Sequence, residues 1–302
     1  MIYDCFPFFN EVDLLRFRIE MLDSFVDRFV IVEANKTQSG MYKPFYFDEV
    51  KDSFAKWMDK IIHIKVTDAP ALQYKGDWSI EFFQRNCILR GLIHCNPEDL
   101  ILISDVDEMP NPDIFATLDD YTPRLINVDF SSFLDRMKQK FLLLGIKPSL
   151  FFKKNTAVSL LEIMPLVLQQ KLSYYYMNYR ACGNFAKWYG TILVKYKNLQ
   201  MPQKLRNQRN RMPYIAGNVG WHFSYLGGIE QIEKKLESIV EGGILSIPKE
   251  FSSQNDYINF CLNRGEDIFN RKEIKYEKIL PSSMGLKNSG ELIEKYPHFF
   301  IL

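Results

Sequence analysis

The stretch Asp99-Leu100-Ile101-Leu102-Ile103-Ser104-Asp105-Val106-Asp107-Glu108 decides how this chain folds. Its short, unbroken apolar run reads as a strand buried on both faces. Working outward, Ile2–Phe9, Phe29–Glu33 and Ile61–Val66 read as further strands. Helical patterns separate them. Leu15, Ile19, Leu22 and Val26 recur at helical spacing, and Asn10 with Asp13 three residues on predicts a capped start. Phe47–Met58 suggests a second helix, and Ser79 predicts the cap of a third that runs to about Cys95. This alternation specifies an α/β fold with a mainly parallel central sheet flanked by helices. Such sheets bind ligands beyond the carboxyl ends of their strands, and the acids at 105–108 fall there.

Asp105 and Asp107 are spaced i, i+2, which in a strand sends both side chains to the same side. Three carboxylates within four positions repel one another unless a cation sits among them. A hard divalent ion suits oxygen ligands, and Mg2+ or Mn2+ takes one or two protein carboxylates and completes its shell with substrate phosphate. Two enzyme classes share a strand ending in Asp-x-Asp. One transfers a sugar from a nucleotide sugar. The other is the aspartate-nucleophile (haloacid-dehalogenase-like) phosphatase. The phosphatase needs the motif near its domain start, with Thr or Val two residues after the second Asp. Here about a hundred residues precede the motif, and Met109 fills that place. A non-catalytic sugar-binding module is a third reading.

Composition narrows the partners. The 302 residues carry 38 Lys plus Arg against 37 Asp plus Glu, a net charge of +1, so nucleic acid is not the expected partner. The balance hides a polarity. From Ile163 to Ile229 there is no acidic residue and there are nine cations, which leaves −8 on the rest of the chain. A basic segment beside an acidic remainder suits a polyanion such as a diphosphate. The five cysteines form no close-spaced pair and read as reduced thiols. No apolar run approaches the roughly 18 residues of a membrane helix, and the start has no signal-peptide pattern. A cytoplasmic protein with at most peripheral membrane contact is expected.

Further candidates follow. His222 lies in Gly220-Trp221-His222-Phe223-Ser224-Tyr225 and could complete a coordination sphere begun by Asp107. Arg85 forms an i, i+4 pair with Glu81, and its functional reading sets it against a nucleotide. Glu11 and Glu33 follow the first two strands, where the sheet would seat a base and ribose.

These residues together resemble glycosyltransferase family 17. The matching pieces are Phe9–Arg18, Val26–Asn35, Gln84–Asn86, Asp105–Pro110 and Gly220–Ile232, in the right order along most of the chain, with EKYPHFFIL at the end. Ser131–Gln170 has no clear counterpart. The resemblance implies a single GT-A-type (Rossmann-like) domain over 1–302, a UDP-sugar donor, a glycan acceptor, a Mn2+ or Mg2+ ion and inversion at the anomeric carbon. Within that domain, 1–113 is the expected nucleotide-binding half, 114–230 the acceptor half and 231–302 a helical segment. Asp107 is the expected principal metal ligand, with Asp105 on the ribose or on the metal through water. The catalytic base, expected after Glu108, has four candidates outside the acid-free segment: Asp129, Asp135, Glu162 and Glu230. Glu230 is preferred because it falls within the matching pieces. Glu162 is the alternative, in an apolar run that could raise its pKa. Tyr174, Tyr175, Tyr176 and Trp188 are expected to offer rings to a sugar.

Overall fold

The computed structural model describes residues 1–124, 156–240 and 245–302. β1 (Ile2–Pro7), β2 (Arg28–Ala34), β3 (Ile61–Val66) and β4 (Leu100–Ile103) lie parallel in the order β3-β2-β1-β4. The helices α1 (Val12–Leu22), α2 (Tyr46–Val50) and α3 (Ser79–Asn86) cross between them. Alternate residues of each strand feed opposite cores. Phe6, Phe29 and Ile31 pack on one face, and Cys5, Val30 and Val32 on the other. That two-sided burial is why β1 and β2 read as largely apolar runs, whereas β3, at the sheet edge, is half-buried with Lys65 exposed.

Several boundaries differ from expectation. The first strand ends at Pro7, and the helix expected over Phe47–Met58 is α-helical only over Tyr46–Val50 before tightening into a 3-10 helix over Lys51–Trp57. Asn10 does not cap α1. The Glu11 carboxylate turns back to accept the amides of Phe9 and Asn10, and the helix begins at Val12. Ser79 is the first residue of α3 and not its cap, and the helix ends at Asn86 and tightens into a 3-10 turn over Cys87–Gly91, short of Cys95.

Beyond β4 the sheet becomes mixed. It continues through β5 (Glu108–Pro110), β6 (Leu166–Tyr174), β7 (Tyr179–Ala181), β8 (Lys187–Lys195), β9 (Tyr214–Ile215), β10 (Gly220–Ser224) and β11 (Tyr276–Lys278). β8 runs antiparallel to both β4 and β6, while β10 lies parallel to β6 and antiparallel to β5. The all-parallel arrangement therefore belongs to the first four strands. The helices of this half are α4 (Asp113–Thr117), α5 (Ala157–Leu161), α6 (Pro202–Gln208), α7 (Ile229–Ser238), α8 (Gln254–Arg264) and α9 (Ser289–Lys295). No helix among the described residues is long and apolar enough to cross a membrane.

One polar pair breaks the apolar interior. Asp4 in β1 and Arg18 in α1 are both fully buried. Arg18 Nε and Nη2 each donate to the Asp4 carboxylate at 2.7 Å. The rest of the guanidinium reaches the end of β4. It donates to Ser104 Oγ at 2.6 Å and to the carbonyls of Asp105, Val106 and Glu108 at 3.1, 3.0 and 2.8 Å.

Candidate active site

The turn that Arg18 holds from behind opens forward into a cleft of about 990 Å³. Asp105 and Asp107 both line it. They sit in a turn between β4 and β5, not in a strand, so strand alternation does not govern them. Their side chains meet different partners.

Asp105 accepts from Arg85 Nη2 at 2.7 Å and from Arg206 Nη2 at 2.5 Å, one guanidinium on each oxygen. Burial opposes its charge, but Arg206 and Arg85 outweigh it and hold the carboxyl well below the usual carboxylate range. Glu108, fully buried, takes the fork of Arg206 at 2.8 and 2.6 Å and the indole N–H of Trp188 at 2.5 Å. Arg206 thus lies between two of the three acids. Asp107 faces His222 Nε2 at 3.4 Å on one oxygen and Lys235 Nζ at 3.0 Å on the other. Burial again opposes the charge, and Lys235 with His222 overrides it, so this carboxyl too is held far down. The charge compensation that the sequence reading assigned to a metal comes in large part from Arg85, Arg206 and Lys235.

Strand pairing brings His222 to Asp107. β10 lies against β5 with His222 opposite Glu108, and Phe223 N donates to Asp107 O at 2.9 Å. This close approach requires Gly220. Its φ is +153°, and a Cβ there would stand 2.4 Å from the Met109 carbonyl oxygen and 3.1 Å from Pro110 Cα. Gly220→Ala is therefore expected to push β10 off β5, lowering stability by about 1–3 kcal/mol. It should also weaken ligand binding at His222. Urea unfolding and ligand-induced melting shifts measure both, and a stability unchanged from wild type would refute the packing argument.

The cleft is rich in cations. Arg209 lines it and has no carboxylate partner within ion-pair distance among the described residues. Its guanidinium stands 5.3 Å from the Trp188 ring centre. Burial, with Arg206 beside it, pushes its pKa down to about 10. Arg209 remains charged at neutral pH and gains by meeting an anion.

The other expectations fare unequally. Arg85 lines the cleft and keeps its pair with Glu81 at 2.9 Å while clamping Asp105. Glu11 lines the cleft. Glu33 does not: it is fully buried, accepts from Lys43 Nζ and the amides of Tyr46 and Phe47, and meets His63 Nε2 at 3.1 Å, so it anchors the start of α2. Glu162 is also outside the cleft. It pairs with Lys195 and Lys197, and that hydrogen bonding lowers its pKa, the reverse of what its apolar neighbours in sequence suggested. Glu230 is exposed in the first turn of α7 and does not line the cleft; the residue of that helix that reaches the site is Lys235. Asp129 and Asp135 lie outside the described residues. Tyr174 and Trp188 line the cleft, whereas Tyr175 is fully buried and bonds Glu266 O and Ile268 N.

Among the described residues no three His, Cys, Asp or Glu side chains converge to hold a metal ion; Asp107 and His222 come together as a pair. A carboxylate oxygen and an imidazole nitrogen 3.4 Å apart can contact one ion together, and such ions take few protein ligands when phosphate supplies the rest. Asp105, committed to two guanidiniums, is placed to orient the turn.

Comparison with known proteins agrees with the resemblance read from the motifs. Residues 1–139 match the model of glycosyltransferase family 17. The human protein named beta-1,4-mannosyl-glycoprotein 4-beta-N-acetylglucosaminyltransferase is 28% identical over 110 residues, which is 34% of this chain and 21% of that protein. The Rattus norvegicus protein of the same name is 28% identical over 110 residues, 34% of this chain and 20% of its own length. The alignment therefore spans about a fifth of these curated relatives. Among solved structures, a crystal structure of an active-site mutant of LgtC aligns with 100% of this chain and 96% of its own, at 10% identity and a TM-score of 0.32.

Proposed function

We propose that this chain, whose residues 1–139 match glycosyltransferase family 17, is a glycosyltransferase that moves a sugar from a UDP-sugar to a hydroxyl of a glycan acceptor. One observation carries this reading. Asp107 and His222 converge within 3.4 Å in a cleft whose wall includes Arg209, a cation without an acidic partner among the described residues. A sugar diphosphate with a divalent ion needs that charge pattern. An N-acetylglucosamine-type sugar and inversion are the finer expectations that the similarity adds.

A Mn2+ or Mg2+ ion held by Asp107 and His222 would supply positive charge against the departing diphosphate. The chain's own residues do the rest. Arg209 and Lys235 stand where they can bind diphosphate oxygens. Arg85 and Arg206 fix the Asp105 turn, so the acids keep their positions as charge builds on the leaving group. Trp188, locked through its N–H to Glu108, turns a ring to the cleft on which a sugar face can pack. Both oxygens of Asp105 are engaged by guanidinium groups, which disfavours it as a phosphatase nucleophile.

Thermal melting with UDP and Mn2+, against UDP alone and Mn2+ alone, tests the reading. At about a hundred times Kd, binding adds about 2.7 kcal/mol. A glycosyltransferase shows the largest shift with both ligands. A phosphatase shows no UDP-dependent shift, and a sugar-binding module responds to glycan with neither. A panel of UDP-sugars scored for metal-dependent donor hydrolysis then identifies the sugar.

Arg85 gives a sharper check. Arg85→Ala frees one oxygen of Asp105 and loosens the turn that meets the donor. Donor KM is expected to rise about tenfold or more, with a smaller change in kcat. An unchanged donor KM would return Arg85 to an ordinary helix ion pair with Glu81.

A further inference from the structure

Lys235 takes up the Asp107 oxygen that His222 leaves open, at 3.0 Å. Its side chain is 25% exposed and lies 5.0 Å from the Tyr225 ring centre. It projects from α7, which the chain enters through Gly227 and Gly228, both at positive φ (+99° and +80°). The far end of α7 is tied to the loop after β2, where Ser39 N donates to Ser238 O and Ser39 Oγ to Glu237 O, each at 3.1 Å. The lysine lines both the main cleft and an adjoining cavity of about 380 Å³. Space therefore lies on either side of the ammonium while the helix that carries it is held.

We propose that Lys235 is a stand-in cation for Asp107: it occupies the metal's carboxylate while the donor is absent, and transfers to the diphosphate when metal and nucleotide arrive together. This rests on the metal site at Asp107 and His222 proposed above. An ammonium is a compact charge on a flexible four-carbon stem, so it can change partners without moving the helix. Two cations crowded on one carboxylate repel unless an anion joins them, and the diphosphate is that anion. Metal alone must displace Lys235 from Asp107 toward the adjoining cavity, where the acids it meets are already engaged: Glu11 accepts the amides of Phe9 and Asn10, and Asp13 faces His298. Metal with nucleoside diphosphate gives the ammonium a new partner. The binding of the two is thereby coupled, and the coupling is reciprocal.

Mn2+ titration followed by the paramagnetic resonance of free Mn2+, on the full chain with and without UDP, tests this. Wild type is expected to bind Mn2+ weakly alone and at least tenfold more tightly with saturating UDP. Lys235→Met should bind Mn2+ alone at least tenfold more tightly than wild type, with little further gain from UDP. Lys235→Arg should keep the wild-type pattern. Lys235→Gln, which retains a polar tip at this partly exposed position, replaces the Met variant if the latter does not fold. A role limited to docking α7 would change melting in every variant and leave metal-only affinity where it was. The inference is overturned if the Met or Gln variant binds Mn2+ alone no more tightly than wild type while UDP still promotes binding that Asp107→Asn abolishes. Absence of Mn2+ binding in every protein, even with UDP, would bring down the Asp107 metal site itself.

Discussion

Arg18→Met should cost about 3–5 kcal/mol of stability, the penalty for stranding one member of a buried ion pair. The substitution leaves Asp4 without a counter-charge in an interior strand and releases the carbonyls of Asp105, Val106 and Glu108. Urea unfolding should show a lower midpoint with an unchanged slope. The double variant Asp4→Leu with Arg18→Met separates the two losses. Removing both charges should restore much of the stability, because no ion is then left buried alone. It should not restore UDP and metal binding, because the turn carrying Asp105 and Asp107 still lacks its support. Wild-type stability in the single variant would contradict the buried pair. Full ligand binding in the double variant would show that the turn holds its shape unaided.

Asp107→Asn should reduce transfer by about a hundredfold or more. The amide keeps the size of the carboxylate and removes the charge that His222 and Lys235 both face. The fold should survive, since Lys235 is partly exposed and can turn to solvent. Melting without ligand should therefore stay close to wild type while the added stability from UDP with Mn2+ disappears. Initial rates at saturating donor, alongside those melts, check both halves of the expectation. Near wild-type turnover would remove Asp107 from the reaction.

The four parallel strands were legible because each is a short, mostly apolar run bounded by helical spacing: β1, β2 and β4 are largely buried, and β3 at the sheet edge keeps its isoleucines though His63 and Lys65 interrupt it. The mixed half was harder to read, because β5, β7, β9 and β11 span three residues or fewer and take their pairing from partners far along the chain. In the site, Asp105 and Asp107 stood out as acids just past an apolar strand, and His222 as a polar residue among aromatics within β10. Arg206 and Lys235 did not, because nothing local in either helix marks which cation will reach an acid a hundred residues away. Arg18 left a signal that could have been read: it falls on the apolar stripe of α1 with Leu15 and Leu22, and Asp4 interrupts an otherwise apolar strand. Two out-of-place charges within one strand–helix unit point to each other. Glu162 misled because sequence neighbours say little about burial, and its spatial neighbours are lysines.

The wedging of β10 between β5 and β6 sets a timetable for the newborn chain. His222 leaves the ribosome 115 residues after Asp107, a delay of roughly 6–23 s at synthesis rates of about 5–20 residues per second. For the first 98 residues of that interval the β4–β5 turn has Arg18 and Arg85 but not Arg206, and Lys235 follows only after His222, so its acids are under-neutralised and β5 has no strand on the side that β10 will take. An unpaired strand edge beside concentrated negative charge resists joining another such edge, because like charges meet first. The acids that later serve the cleft thus stand beside the strand edge that β10 comes to cover.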